Sequence, residues 1–299
     1  MSEENIEAVD TSCCASCGVA EIDDIKLKNC TDCGLVKYCS GACQREHWPQ
    51  HEEACSKRAA ELRDELLFKQ SESTHLGDCP ICCLPMQLDR SKSIINQCCS
   101  KVICEGCHHA NMLREIEQKL AFKCSFCRTL MPSSKEECNR NMMKRIETND
   151  PFAMCAEGLE QHRKGDYSSA FRYFTKAAEL GDVDAHGQLA GLYHYGQGVE
   201  KDKEKKMYHL EEAAIGGHLD ARFNLGCEGW NNDNNESAVK HWIIAANLGH
   251  DESIKALMSA CKEGKVCKEY LAAALRAHQA AVDATKSPQR EAADEYNRK

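Results

Sequence analysis

The sequence is short of aromatic residues, of positive charge and of long apolar runs. Aromatics make up 6% of its 299 residues, too few for a stacking platform that would hold single-stranded nucleic acid. Lys and Arg number 38 against 47 Asp and Glu, a formal net charge of −9. Nucleic acid and anionic membranes are bound through clustered cations that neutralise phosphates, so direct nucleic-acid binding is not expected. No run of about 18 apolar residues occurs, so neither a transmembrane helix nor a membrane partner is expected. The opening MSEENIEAVD is acidic and polar, without the basic start and apolar stretch of a secretory signal. These absences together predict an intracellular protein, of cytoplasm or nucleus. Length alone suggests about two domains.

Cysteine is abundant: 22 residues, of which 17 fall between positions 13 and 127. A disulfide framework would need an oxidising compartment. A zinc framework needs pairs at C-x-x-C spacing, because two thiolates on one tight turn can grip a tetrahedral ion about 2.3 Å away. Five such pairs occur: Cys14/Cys17, Cys30/Cys33, Cys79/Cys82, Cys104/Cys107 and Cys124/Cys127. With no secretory signal, zinc is the expected cofactor.

The first group continues with Tyr38-Cys39, Cys43-Gln44, Trp48-x-x-His51 and Cys55, giving seven Cys and one His for two tetrahedral sites. His51 and Cys55 are four apart and so share one face of a helical turn. This run over residues 14–55 resembles the MYND zinc finger in every element of its pattern. The resemblance implies interleaved ligands and two zinc ions. One would take Cys14, Cys17, Cys39 and Cys43, and the other Cys30, Cys33, His51 and Cys55, with Cys13 as a poorer substitute for Cys14. It also implies a groove for short proline-containing peptides at Thr31, Gln44 and Trp48. An indole face packs on proline rings, and an amide pairs with an extended backbone. The plainer reading of Trp48 is as core of a small module. No segment resembles the methyltransferase domain that accompanies many MYND fingers. Residues 56–75 read as a helical linker with Leu62, Leu66 and Leu67 on one stripe.

A second, less regular group runs Cys79-Pro80-Ile81-Cys82, Cys98-Cys99, Cys104-x-x-Cys107 and Cys124-x-x-Cys127-Arg128. Over residues 76–132 it resembles a RING finger. The resemblance implies a complete site from Cys79, Cys82, Cys104 and Cys107. It implies a second site from Cys124 and Cys127 with two ligands drawn from the preceding segment. A common RING places His where this chain has Lys101, and protonated Lys cannot ligate. Cys98 and Cys99 are candidates for the missing ligands, with His108 or His109 as alternatives, so one or two zinc ions are expected here. Cys83 is left over. Family members contact a ubiquitin-conjugating enzyme through the positions of Ile81 and Arg128. They act by positioning rather than through a catalytic side chain. Ser125 departs from the proline often found inside the last pair. In the plain alternative Ile81 only packs and Arg128 is only a surface charge.

The remainder repeats. Ala177-Ala178-x-x-Gly181, Ala213-Ala214-x-x-Gly217 and Ala245-Ala246-x-x-Gly249 step by 36 and 32 residues, as do Leu189, Leu225 and Leu257. The repeats over 150–260 resemble Sel-one-like repeats, relatives of tetratricopeptide repeats. This implies helix pairs that stack into a solenoid and offer a surface to protein partners. His186, His194, His209, His218, His241 and His250 are expected on its surface. Residues 261–299 read as a capping helix and a polar tail, with Cys261 and Cys267 as free thiols.

The fold expected is therefore multi-domain: small zinc-stabilised α+β modules at the N-terminus, then an all-α helical-repeat solenoid. The function expected is a zinc-binding adaptor that recruits proteins through its MYND and repeat surfaces, with the RING-like module serving as a ubiquitin ligase. The alternatives are a non-catalytic zinc-binding scaffold and a transcriptional co-regulator that binds proline-containing peptides.

Overall fold

The computed structural model describes residues 12–298. The chain divides into two units between Lys69 and Gln70.

In the first unit a two-residue strand β1 (Lys28–Asn29) pairs antiparallel with β2 (Lys37–Tyr38), Lys28 opposite Tyr38. Helix α1 (Gly41–Leu67) follows, capped by the Ser40 hydroxyl, which accepts from the Cys43 amide at 3.3 Å. The helix that carries His51 and Cys55 thus continues through most of the expected linker. Pro49 stands inside it and removes one intrahelical hydrogen bond. Among the described residues, the core cluster of this unit is Cys14, Cys30, Cys33 and Cys55 with Val36 and Tyr38, and Ala15, Leu27 and Trp48 pack partly buried against it. Few apolar side chains are available to hold it together.

The second unit opens with another cysteine-rich core of Cys79, Met86, Ile103, Cys104 and Cys107. Strand β3 (Ser93–Asn96) pairs antiparallel with β4 (Lys101–Cys104), and helix α2 (Glu105–Glu117) starts directly from it. Helix α3 (Lys135–Glu147) leads into the solenoid. Three hairpins follow: α4 (Pro151–Arg163) with α5 (Tyr167–Glu179), α6 (Val183–Tyr195) with α7 (Lys203–Ile215), and α8 (Leu219–Asn231) with α9 (Asn235–Ala246). Helices α10 (Asp251–Lys262) and α11 (Lys268–Ala284) close the array, with Leu271 and Ala274 covering the apolar end of the last hairpin. Gly181, Gly217 and Gly249 end the three motif copies with φ between 88° and 89°, the left-handed conformation that stops a helix at no steric cost. Within the expected polar tail the chain forms α12 (Pro288–Asn297), which packs on α2.

Three of the six histidines expected on the solenoid surface are buried: His218, His241 and His250. For His218 and His250 the reason is capping. His218 caps α8 with Nδ1 accepting from the Ala221 amide at 3.3 Å, and His250 caps α10 with Nδ1 accepting from Ser253 at 3.3 Å. A neutral imidazole that accepts at Nδ1 carries its proton on Nε2. That nitrogen faces a carboxylate of the preceding hairpin, Asp184 at 3.3 Å and Asp220 at 3.0 Å respectively. Each histidine therefore ties two consecutive hairpins. His241 is held neutral, its pKa pushed down to about 4 by burial and by the charge of Arg222. His186 and His209 are half-buried, their Nδ1 atoms 3.0 Å apart, and His194 is exposed.

Packing within the hairpins is matched in size. A Cβ at Gly158 would lie 2.6 Å from Phe174, and one at Gly226 would lie 2.3 Å from Trp242 Nε1. The equivalent positions of the middle hairpin hold Ala190 and Leu210, both buried. Gly226→Ala is expected to cost about 1–3 kcal/mol by overpacking. In thermal unfolding of the full chain, the double variant with Trp242→Leu should lose less than the sum of the single losses. Strict additivity would refute the size matching.

Candidate metal centres

Four pieces of backbone share one design. Each is a C-x-x-C turn in which the amide two residues beyond the first x-x pair returns to the first cysteine: Gly18 to the Cys14 carbonyl at 2.9 Å, Gly34 to Cys30 at 3.0 Å, Cys83 to Cys79 at 2.8 Å and Arg128 to Cys124 at 3.0 Å. The residue that closes each turn is left-handed, with φ of 71°, 67°, 55° and 63° in that order. Cys83, the leftover thiol of the sequence, is thus a turn-closing residue. The fifth pair is built differently. Cys104 caps α2 and Cys107 lies in its first turn, its amide donating to Cys104 Sγ at 3.4 Å.

These turns bring the donors into four tetrads, within each of which all donor atoms lie within 4.8 Å of one another. They are Cys14, Cys17, Cys39 and Cys43; Cys30, Cys33, His51 and Cys55; Cys79, Cys82, Cys104 and Cys107; and Cys98, Cys99, Cys124 and Cys127. Four sulfurs about 2.3 Å from one ion stand about 3.8 Å apart at tetrahedral corners. The observed separations are 3.6 Å for Cys17–Cys39, 3.7 Å for Cys30–Cys55, 3.8 Å for Cys82–Cys104 and 3.9 Å for Cys99–Cys124. Cys33 Sγ and His51 Nε2 are 3.2 Å apart. None of these is near the bonded distance of about 2.05 Å for a disulfide. The donor sets, all sulfur or sulfur with one imidazole, fit zinc.

The electrostatics inside a tetrad also call for a cation. At Cys14 burial opposes the thiolate, but backbone amides of Cys17, Cys39 and Ser16 outweigh it and hold the pKa down to about 6. In the same tetrad Cys39 is pushed up to about 12 by the thiols of Cys43, Cys17 and Cys14 beside it. One thiolate is favoured and its neighbours resist, a conflict that a divalent ion removes.

Cys98 and Cys99 both join the fourth tetrad. They sit in the turn between β3 and β4, where the Cys99 and Ser100 amides both return to the Asn96 carbonyl, at 3.1 and 2.8 Å, and Ser100 is left-handed. Cys98 Sγ reaches Cys127 at 3.3 Å while Cys99 reaches Cys124. His108 and His109 stay on α2, outside the tetrad, the His109 ring tilted against Tyr296 with centroids 4.8 Å apart. Lys101 lies with Nζ 5.9 Å from the Phe126 ring centre.

Two surfaces accompany the tetrads. Gln44 and Trp48 lie one turn apart on α1, both half-buried, with Trp48 packed on the sulfur core and its ring edge-on to His51. Thr31 is exposed and donates to Asp32 Oδ1 at 3.1 Å. In the second unit Ile81 and Arg128 line one groove of about 430 Å³ together with Ala110, Asn111, Arg114, Ser125 and Gln289. Ile81 is 42% exposed, and Arg128 Nη1 donates to Asn111 Oδ1 at 3.0 Å.

Comparison with known proteins agrees with this division. Residues 14–55 match the MYND finger, and residues 153–182, 183–218 and 219–250 match the Sel1 repeat. The chain therefore carries a MYND finger and three Sel1 repeats, modules that generally mediate protein–protein interactions. Chitin synthase regulatory factor 4 of Schizosaccharomyces pombe is 31% identical over 86 residues, which are 28% of this chain and 14% of that protein. A Sel1 repeat protein from Oxalobacter formigenes is similar in structure, with 22% identity, a TM-score of 0.42, and coverage of 60% of this chain and 71% of the other. The antigen c5321 of uropathogenic Escherichia coli gives 22% identity and a TM-score of 0.39 over 54% and 36% of the two chains.

A structural zinc ion supplies on the order of 10–16 kcal/mol to small zinc domains, more than the sparse core of the first unit can replace. Cys55→Ser is expected to strip hydrogen-exchange protection from residues 14–55 while α4–α11 keep theirs. Native protection throughout 14–55 in that variant would contradict a metal-built core.

Proposed function

We propose that the chain is an intracellular adaptor that holds zinc in all four tetrads. It gathers protein partners on its MYND finger and Sel1 repeats, and it presents a ubiquitin-conjugating enzyme on the RING-like module of residues 76–132. One observation carries the ubiquitin half of this reading: Ile81 of the third knuckle and Arg128 of the fourth open onto the same groove. An apolar side chain beside a cation is the pairing needed to seat a conjugating enzyme and hold its charged ubiquitin against it. Such a module adds no reacting group; it lowers the barrier by fixing the thioester in a reactive pose. The Arg128 guanidinium is already oriented by Asn111. On the MYND finger, the half-buried indole of Trp48 next to the Gln44 amide suits an extended proline-containing peptide.

A second reading is a scaffold without ligase activity. It is favoured by Gln289 of α12 at the rim of the groove, which narrows the space for a partner.

The test is ubiquitin-chain formation by the purified full chain with a panel of conjugating enzymes. Chains are expected with at least one enzyme and should fall by tenfold or more in Ile81→Ala, about 1.4 kcal/mol of lost positioning energy. Absence of chains across the panel, from protein shown to retain its zinc, would leave the scaffold.

A further inference from the structure

The C-terminal helix returns to a module built about two hundred residues earlier in the chain. After α11 has closed the solenoid, Ser287 caps α12, and α12 lies along α2. The approach is close enough that a Cβ at Gly106 would lie 2.7 Å from the Arg290 amide nitrogen and 2.9 Å from its Cα. Ala293 is fully covered, Lys92 pairs with Asp294 at 2.5 Å, the Tyr296 ring packs at a tilt against His109, and Asn297 bonds Glu105.

At the centre of this contact Arg290 is buried, 3% exposed. Its Nη1 donates to the Pro85 carbonyl at 2.7 Å and to the Thr285 carbonyl at 2.6 Å. Its Nη2 donates to the Leu84 carbonyl at 3.3 Å and to Cys82 Sγ at 3.6 Å. No carboxylate takes part in these bonds. A buried guanidinium without an acidic partner is costly unless another negative group faces it. The four thiolates of the third tetrad with one zinc ion carry two net negative charges, and Cys82 is one of them. The planar fork of Arg spans the Pro85 and Leu84 carbonyls and the ligand sulfur at once, which a Lys cannot do. Backbone amides serve sulfurs in several tetrads, at Cys33 from Leu35, at Cys124 from Phe126, and in the third at Cys79 from Cys104 and at Cys104 from Cys107; at Cys82 the donor is the Arg290 side chain.

We propose that Arg290, delivered by α12, is the outer clamp of the third tetrad. It neutralises and fixes the knuckle Cys79–Leu84, so zinc retention in the second cysteine module depends on the far C-terminus. Arg290 is a positioning residue in this role. The inference rests on zinc in the third tetrad and not on ubiquitin chemistry, so loss of the ligase reading leaves it standing.

The test uses the full chain, with zinc content first measured in the parent. Zinc is then released to a chromophoric chelator, while alkylation of newly exposed thiols is mapped by mass spectrometry. Arg290→Met keeps the bulk and loses the charge. Gly106→Ala leaves Arg290 intact and pushes its backbone away. Both are expected to speed the release of one zinc ion by about 10–100-fold, the usual effect of losing a ligand's supporting hydrogen bond. Early labelling should be confined to Cys79, Cys82, Cys104 and Cys107, and Arg290→Lys should recover part of the retention through its charge. Parent-like release in both Arg290→Met and Gly106→Ala would overturn the proposal. So would equal acceleration at all tetrads, which would mark general unfolding instead of a clamp on one centre.

Discussion

Thiol groups gathered in fours, one set completed by the imidazole of His51, with sulfurs 3.3 to 3.9 Å apart, are the constraint on which the cysteine-rich part of this protein depends. At that spacing the sulfurs are too far apart to be bonded and too close to ionise freely beside one another. A tetrahedral divalent ion satisfies the geometry and the charge together. The modules have little else to fold around. Among the described residues, the buried set of the first unit is four cysteines, a valine, a tyrosine, His51 and Leu67. The second module adds only Met86 and Ile103 to its sulfurs. Small units that bury so little apolar surface need a staple, and here the staple is also the core.

The solenoid obeys a different rule. Its stability comes from side chains matched in size across each hairpin, Gly158 against Phe174 and Gly226 against Trp242, and from stacking of one hairpin on the next. Polar ties reinforce the stack. His218 and His250 satisfy a helix N-terminus on one side and meet a carboxylate of the preceding hairpin on the other. The two regimes join where α12 folds back on α2, so the end of a quasi-linear array closes on the beginning of its own unit.

Much of this is legible in the residues. Cysteine spacing and the pattern from Cys14 to Cys55 marked the MYND finger, and the step of Leu189, Leu225 and Leu257 marked the Sel1 repeats, both found by comparison with known families. Gly18 and Gly34 close two of the four knuckle turns at a left-handed position, which glycine usually occupies. Cys83 and Arg128 hold the same conformation without glycine, so the matching turns were silent. The placing of Cys98 and Cys99 on one tetrad depends on a left-handed Ser100 in the β3–β4 turn, which spacing does not encode. His218 and His250 were misjudged because His at a helix N-terminus looks like any other polar residue until its acceptor role is seen. The segment of α12 carries charge on most faces, and only the long-range contact through Arg290 shows that it belongs to a core.

The measurement that bears most directly on this account is the mass of the intact protein, purified under reducing conditions and sprayed from a non-denaturing buffer. Four tetrads predict four zinc ions per chain, with every cysteine in the thiol or thiolate form. A chain with no bound metal, or one lighter by pairs of hydrogens because disulfides join Cys98 to Cys127 or Cys39 to Cys43, would contradict it.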